Sequence, residues 1–374
     1  MNRTAGRIFA LAALLLAGSM TGAGLCADVR ISDPFAWRIE RDIRRFKFAG
    51  TPDVMDLLAV RPGMTILDIG TGTGQFAYEF SRRLNGTGMV HATDTQARCV
   101  AHVGREAERR GLGNIHPVLV DKEGLDAFYG KHRYDLIAIF HVAMAYGDKV
   151  DYLRGLRGSL AEGGRLALIL PKIPTLFSPG DFTGDFRVLI GELSREPADS
   201  PFFGILKDST RELIRENPGT YPPERIGKAV VDDINEAMQS GGRFFRNFLD
   251  GADFRRDVGF SPGERAFADF LLLSFNRWKP DDGDPIDLDS GTPVAGNRSL
   301  KPPTRTGTRD KADGLFLNKL LFMQKYRGFL RPDRLFASGM TPPARAAFEE
   351  AGYVLRHEYP DVIPFEDIVI FSAR

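Results

Sequence analysis

From Thr51 onward, short continuous apolar runs alternate with stretches whose apolar positions recur every three to four residues. This is the rhythm of buried strands each followed by an amphipathic helix, and it predicts a parallel α/β sheet. Thr51-Pro52 caps a short helix through Leu58, and Arg61-Pro62-Gly63 turns the chain into a first strand, Met64 to Ile69. Further strands are predicted at Met89 to Thr93, Ile115 to Val120, Tyr134 to Phe140 and Arg165 to Leu170, with helical segments between them, including Gln75 to Leu84. Near the end, Thr341-Pro342 starts a helix through Ala351, Gly352 stops it, and two strands follow, Tyr353 to Tyr359 and Asp367 to Ser372.

The repeat is interrupted between Pro171 and Thr341. The pattern there predicts helices at Pro223 to Gln239, Arg243 to Leu249, Pro262 to Trp278 and Leu315 to Tyr326. The third is the best signalled, with Ser261 and Glu264 in capping-box register and Pro262 at the first helical position. Residues 279–314 are rich in Asp, Gly, Pro and Thr and nearly free of large apolar residues, which predicts a loop. The expected organisation is therefore one α/β domain made of residues 51–171 and 341–374, carrying a mainly helical insert over 172–340. Phe244, Phe245, Phe248, Phe267, Phe270, Phe275 and Trp278 fit either a packed helical core of that insert or an apolar lid over a substrate.

Ahead of the repeat, Arg3 and Arg7 precede an apolar stretch centred on Phe9 to Ala17, with small residues Gly22, Ala23, Gly24 and Ala27 behind it. Residues 1–27 thus read as a secretion signal cleaved after Ala27 or Ala23, which gives a periplasmic or secreted address. The competing reading is an uncleaved anchor, because the uncharged run is long enough to span a bilayer. Arg30, Arg38, Arg41, Arg44 and Arg45 would then hold the domain on the cytoplasmic side. In either case membrane contact is confined to this N-terminal segment.

Composition narrows the chemistry. The 374 residues hold 43% hydrophobic side chains, enough for one large core or two smaller ones. Lys plus Arg (50) nearly cancels Asp plus Glu (49), so no long-range positive field gathers phosphates, which argues against a nucleic-acid partner. The two cysteines, Cys26 and Cys99, supply neither a disulfide framework nor a four-ligand zinc site, and no metal is expected. Nothing in the pattern fixes an oligomeric state.

The central chemical signal is Ile66-Leu67-Asp68-Ile69-Gly70-Thr71-Gly72-Thr73-Gly74, a buried strand running into a glycine-rich turn and then a helix. Glycines let the backbone bend sharply and approach a ligand, and the helix start presents free N–H groups to an anion. Asp68 beside the turn suits a ligand ammonium and repels phosphate. A dinucleotide fingerprint would need its third glycine where Gln75 stands. Asp94 ends the second strand about twenty residues on, where a carboxylate accepts ribose hydroxyls, and Asp121 ends the third, within reach of an adenine amino group. A single acid at a strand end is often only a turn former or helix cap. Three at successive carboxyl ends, where open α/β sheets bind ligands, point to a cofactor.

Arg61 to Asp94 resembles the first two motifs of class I S-adenosylmethionine-dependent methyltransferases, among them the ubiquinone/menaquinone C-methylases and the protein-isoaspartate methyltransferases. The segment Pro52 to Leu58 and the ending Gly352 to Phe371 are similar to exported bacterial methyltransferase-domain proteins. The resemblance covers about Thr51 to Pro171 and the last thirty or so residues, and it speaks for fold and cofactor, not substrate. It implies a seven-stranded Rossmann-like sheet, mostly parallel with a C-terminal antiparallel strand, whose insert lies between strands five and six. It implies S-adenosylmethionine as cofactor, its methionyl part at Asp68, Gly70, Gly72 and Gly74, its ribose at Asp94, its adenine at Asp121, and its reacting face in the region of Phe140 and His141, with Thr71 and Thr95 among the cofactor-binding residues.

Methyl transfer from a sulfonium leaves a neutral thioether, so it needs mainly alignment and dryness, with a general base as an option. His141, directly after the fourth strand, and Tyr146 are the catalytic candidates, and His141 is equally readable as a loop-holding histidine. No Asn-Pro-Pro-Tyr or Pro-Cys signature follows this strand, which removes the main amino- and cytosine-methylating readings of DNA or RNA. The expected function is S-adenosylmethionine-dependent methyl transfer to a small molecule or envelope component. The alternative is an exported Rossmann-like binding module without catalysis.

Overall fold

The computed structural model describes residues 34–121, 129–142, 149–182, 186–195, 206–216, 223–239, 319, 322, 326–331 and 334–374. The leader, Tyr146, the helices expected at 243–249 and 262–278 and the loop expected at 279–314 lie outside the described residues. So does most of the helix expected at 315–326, of which Lys319 and Phe322 are helical.

The sheet is built from β1 (Thr65–Ile69), β2 (Met89–Asp94), β3 (Ile115–Leu119), β4 (Tyr134–Phe140), β5 (Leu160–Pro171), β8 (Tyr353–Ile363) and β9 (Glu366–Ala373). Its seven strands run in the order β3-β2-β1-β4-β5-β9-β8, with β9 antiparallel to both its neighbours and all other pairings parallel. A separate short pair, β6 (Ile173–Pro174) with β7 (Phe336–Ala337), closes the base of the insert. The helices are α1 (Pro34–Ala49), α2 (Pro52–Leu57), α3 (Gln75–Arg83), α4 (Ala97–Arg109), α5 (Val150–Gly158), α6 (Phe186–Arg195), α7 (Asp208–Glu216), α8 (Pro223–Gln239) and α9 (Pro342–Glu350).

The central strands are largely apolar because both faces are covered, with Asp68, His91 and Asp135 among the polar interruptions. Alternate residues go to opposite sides: Ile66, Val90, Ala92, Leu136, Ala138 and Ala167 join a core under α2, α3 and α4. Leu67, Ile69, Ile137, Ile139, Leu166 and Phe371 join a second core under α5 and α9. Thr51 and Thr341 cap α2 and α9 as the sequence predicts, each hydroxyl accepting an N–H three residues on, from Val54 and Ala344. Phe177, Phe182, Leu206, Val230, Ile234 and Phe322 of the insert belong to the first core, so the described part of the insert packs with the sheet.

The packed unit starts earlier than Thr51. α1 lies against α3 through the edge-to-face pair Phe46 and Phe76, 5.0 Å between ring centroids. Its Phe35 meets His102 of α4 at 5.4 Å. Among the described residues no helix is long and apolar enough to cross a membrane.

One feature of the second face predicts a pH response. His91 is buried, its Nδ1 lies 3.0 Å from Tyr134 Oη, and its ring meets those of His132 (4.5 Å) and His116 (5.6 Å). Burial, then the like charges of His132 and His116, push its pKa down to about 4 from 6.5. Between those values the unfolded chain takes up a proton that the folded one refuses. Stability is therefore full above about pH 6.5 and falls toward pH 4, by on the order of 2–3 kcal/mol at most for this group. Urea denaturation at pH 7.5 and 4.5 should show His91→Gln losing less on acidification than the wild type; equal losses would assign the effect elsewhere.

Candidate functional site

The carboxyl ends of β1, β2 and β4 meet at one edge of the sheet, where β1 delivers Asp68 and then the glycine turn. Gly70, Gly72 and Gly74 have φ of +71°, +57° and +83°, left-handed values that favour glycine. Side chains are also crowded: a β-carbon on Gly70 would lie 2.6 Å from Val142 Cγ2, and one on Gly72 would lie 2.9 Å from Asp42 Oδ2, so either would force its neighbour to shift. The turn is tied to β2, since Thr71 N–H donates to Thr93 O at 2.9 Å and Gly74 N–H closes on Thr71 O at 2.9 Å.

Asp94 braces that turn. Its Oδ2 accepts Gly72 N–H and its Oδ1 accepts Gln96 N–H at the start of α4, both at 2.9 Å. A carboxylate has lone pairs left beyond two such bonds, so Asp94 remains able to accept ribose hydroxyls. Asp68 is different. It is 2% exposed, and among the described residues no donor makes a hydrogen bond of good geometry with its buried Oδ2, nor does Thr71 Oγ1 have a partner. Burial pushes its pKa up to about 7, with the nearby Thr71 hydroxyl opposing and the charge of Asp94 adding to the rise. A buried, unsatisfied carboxylate is costly unless something arrives to pair with it.

Asp121 lies two residues beyond β3 and is exposed, as is Thr95 just past β2. The structure brings Asp68, Asp94 and the three glycines into one constellation, with Asp121 at the neighbouring strand end. Phe140, nearly buried, packs edge-to-face on Phe76 at 4.9 Å, and Phe76 also approaches His141 at 6.1 Å.

Two acids at this edge escape sequence reasoning. Asp42 of α1 reaches over the turn, its Oδ2 accepting Thr73 N–H (3.2 Å) and Thr73 Oγ1–H (3.1 Å). Arg38 on the same helix donates to Gln96 Oε1 at 2.7 Å, so α1 is fastened to both the glycine turn and the start of α4. The signal for it is the face Phe35, Ile39, Asp42, Phe46, Ala49, spaced at helical intervals with one charged member. The second is Glu366, whose Oε2 lies 2.8 Å from His141 Nε2 although the residues are 225 positions apart. Burial, and after it the charge of Arg45, lower the His141 pKa, with Glu366 and Asp42 opposing. Among the described residues no group of three or more His, Cys, Asp or Glu side chains is arranged to hold a metal ion.

A family described as a methyltransferase domain matches residues 61–199. The ubiquinone/menaquinone biosynthesis C-methyltransferase of Cellvibrio japonicus is 31% identical over 180 residues, 46% of this chain and 67% of the relative. That of Escherichia coli is 32% identical over 210 residues, 54% of this chain and 75% of the relative. Among solved structures, an S-adenosylmethionine-dependent methyltransferase from Aquifex aeolicus is 22% identical, covers 37% of this chain and 73% of its own, and superposes with a TM-score of 0.32.

Proposed function

Because the chain belongs to the class I S-adenosylmethionine-dependent methyltransferases and takes S-adenosylmethionine as cofactor, we propose that it methylates an acidic carbon or hydroxyl of a small molecule or envelope component, with His141 as the base. The observation that carries this reading is the buried Asp68 Oδ2, without a hydrogen-bond partner among the described residues, beside a turn of left-handed glycines, with His141 at the end of the adjoining strand.

The residues present fit the cofactor. Asp68 would pair with its ammonium, the first N–H groups of α3 would face its carboxylate, Asp94 and Thr95 would serve the ribose, and Asp121 the adenine. The bound sulfonium supplies an electrophilic methyl group and a neutral leaving group. What the chain contributes is orientation, a dry wall built by Phe76 and Phe140, and a destination for the acceptor's proton. His141 is suited to the last task because burial keeps it neutral near pH 7. The relatives' C-methylating activity supports a carbon acceptor over a hydroxyl.

Calorimetric titration with S-adenosylhomocysteine tests the cofactor half. Micromolar binding that is lost in Asp94→Ala, a variant expected to melt somewhat lower because two N–H groups lose their acceptor but to keep a folded circular dichroism spectrum, is the expected result; an intact wild-type fold that binds nothing would sink the proposal. Incubation of cell extracts with methyl-labelled S-adenosylmethionine and the enzyme then tests the acceptor half, with label appearing in a small-molecule or envelope fraction and disappearing in His141→Gln.

A further inference from the structure

We infer that Glu366 is the positioning residue of a His141–Glu366 dyad: it fixes the His141 ring as the Nε2–H tautomer and so leaves Nδ1 bare to receive the acceptor's proton. This rests on the reading of His141 as the base of a methyltransferase.

The topology puts the pair at the reacting edge. His141 is the first residue after β4, and its N–H donates to Ile169 O of β5 at 3.1 Å. β9 runs antiparallel to β5 with Glu366 opposite Pro171, so the start of β9 lies beside the carboxyl end of β5. The two side chains meet at 2.8 Å, His141 being 7% exposed and Glu366 fully buried. In such surroundings a carboxylate against Nε2 is a strong reason for the proton to reside there, because the other tautomer would set two lone-pair-bearing atoms against each other.

Two further observations mark the pair as more than packing. His141 has φ +57°, a left-handed backbone that a non-glycine residue adopts at a cost on the order of 1 kcal/mol, and such outliers gather at functional sites. Glu366 Oε1 is buried with no hydrogen-bond partner among the described residues, so the carboxylate keeps an unspent acceptor there. A group retained in that condition is poorly explained by stability alone.

In the step itself, the Nδ1 lone pair takes the acceptor's proton, and the electron pair freed on the acceptor carbon or oxygen forms the bond to the methyl carbon. The carbon–sulfur pair departs with sulfur, which becomes a neutral thioether. The imidazolium left behind is held by the Glu366 carboxylate. Glu366 therefore acts through His141 and touches no reacting atom.

The test uses the full chain labelled with 15N-histidine, practicable because it has six histidines, with S-adenosylhomocysteine titrated into the same sample. The wild-type His141 ring, assigned with His141→Gln, is expected to carry its proton on Nε2. In Glu366→Gln the amide can accept from or donate to the ring, so a mixture of tautomers is expected, together with a fall of about 100-fold or more in label transferred from methyl-labelled S-adenosylmethionine to a responsive extract. A wild-type ring protonated on Nδ1 overturns the inference without any variant, which covers the case of Glu366→Gln failing to fold. Full transfer by Glu366→Gln where His141→Gln is dead overturns the role of Glu366 and spares the base. Full transfer by His141→Gln removes the base and the dyad together, and absence of S-adenosylhomocysteine binding identifies failure of the methyltransferase reading itself.

Discussion

Asp68→Asn is expected to give a more stable protein that binds its cofactor poorly. The carboxyl group is raised to about 7 in the fold from an ordinary 3.8. Its contribution to stability is thus fully present below pH 3.8, where both states are protonated, and is lost as pH rises through 7, because the unfolded chain ionises first. Over that window the penalty is on the order of 4 kcal/mol. A neutral amide of the same shape avoids most of it, so urea denaturation at pH 8 should show a gain of about 1–3 kcal/mol that shrinks as the pH is lowered toward 4. Binding should move the other way. Losing the charged partner of a buried ammonium costs about 2–4 kcal/mol, a weakening of roughly 30- to 1,000-fold for S-adenosylhomocysteine. The wild type should also lose affinity below about pH 7, up to about tenfold per unit, as Asp68 takes up its proton. An Asn variant that is less stable at pH 8 and binds normally would contradict both halves.

Phe348→Ala should be the most damaging single truncation on the second face. The ring is fully buried in α9, stacks on Phe371 with centroids 4.5 Å apart and an interplanar angle of 8°, and meets Tyr353 edge-on at 5.6 Å. Removing it deletes apolar area and leaves a cavity walled by β8 and β9, which cannot collapse without moving the sheet, at a cost of about 3–5 kcal/mol. Because β9 carries Glu366, the loss should also loosen the His141 contact. Denaturant unfolding with a wild-type slope and a midpoint lowered by that amount is the expected outcome; a loss under about 1 kcal/mol would mean that the α9–β8–β9 unit does not share the core.

The legible part of this molecule is the part whose signal is local. β4 is read from sequence with both ends correct, because a strand covered on both faces is largely apolar, here the run Leu136 to Phe140 behind Tyr134-Asp135. The glycine turn and the acids at strand ends are legible because spacing alone places them on one edge. β5 is harder. Its first half, Leu160 to Gly164, carries Glu162 and two glycines and pairs with β4 across a register irregularity, so only Arg165 to Leu170 resembles a strand. α1 was missed because its charged residues dominate the composition while its apolar stripe is interrupted by Asp42, the residue that contacts the glycine turn. Glu366 stood one place before the predicted start of the last strand, and no local pattern ties it to a histidine 225 positions earlier. Only the chain path of the sheet does that.

That chain path has a consequence for assembly. β5 has β4 on one side, but its other neighbour, β9, arrives only after the whole insert. Until Glu366–Ala373 slides into place, β5 presents an open row of backbone groups, the kind of template that recruits foreign strands. Closing so distant a pairing is also slow. If the dyad works as inferred, a half-assembled chain is chemically silent, since His141 acquires its carboxylate only when the slot is filled.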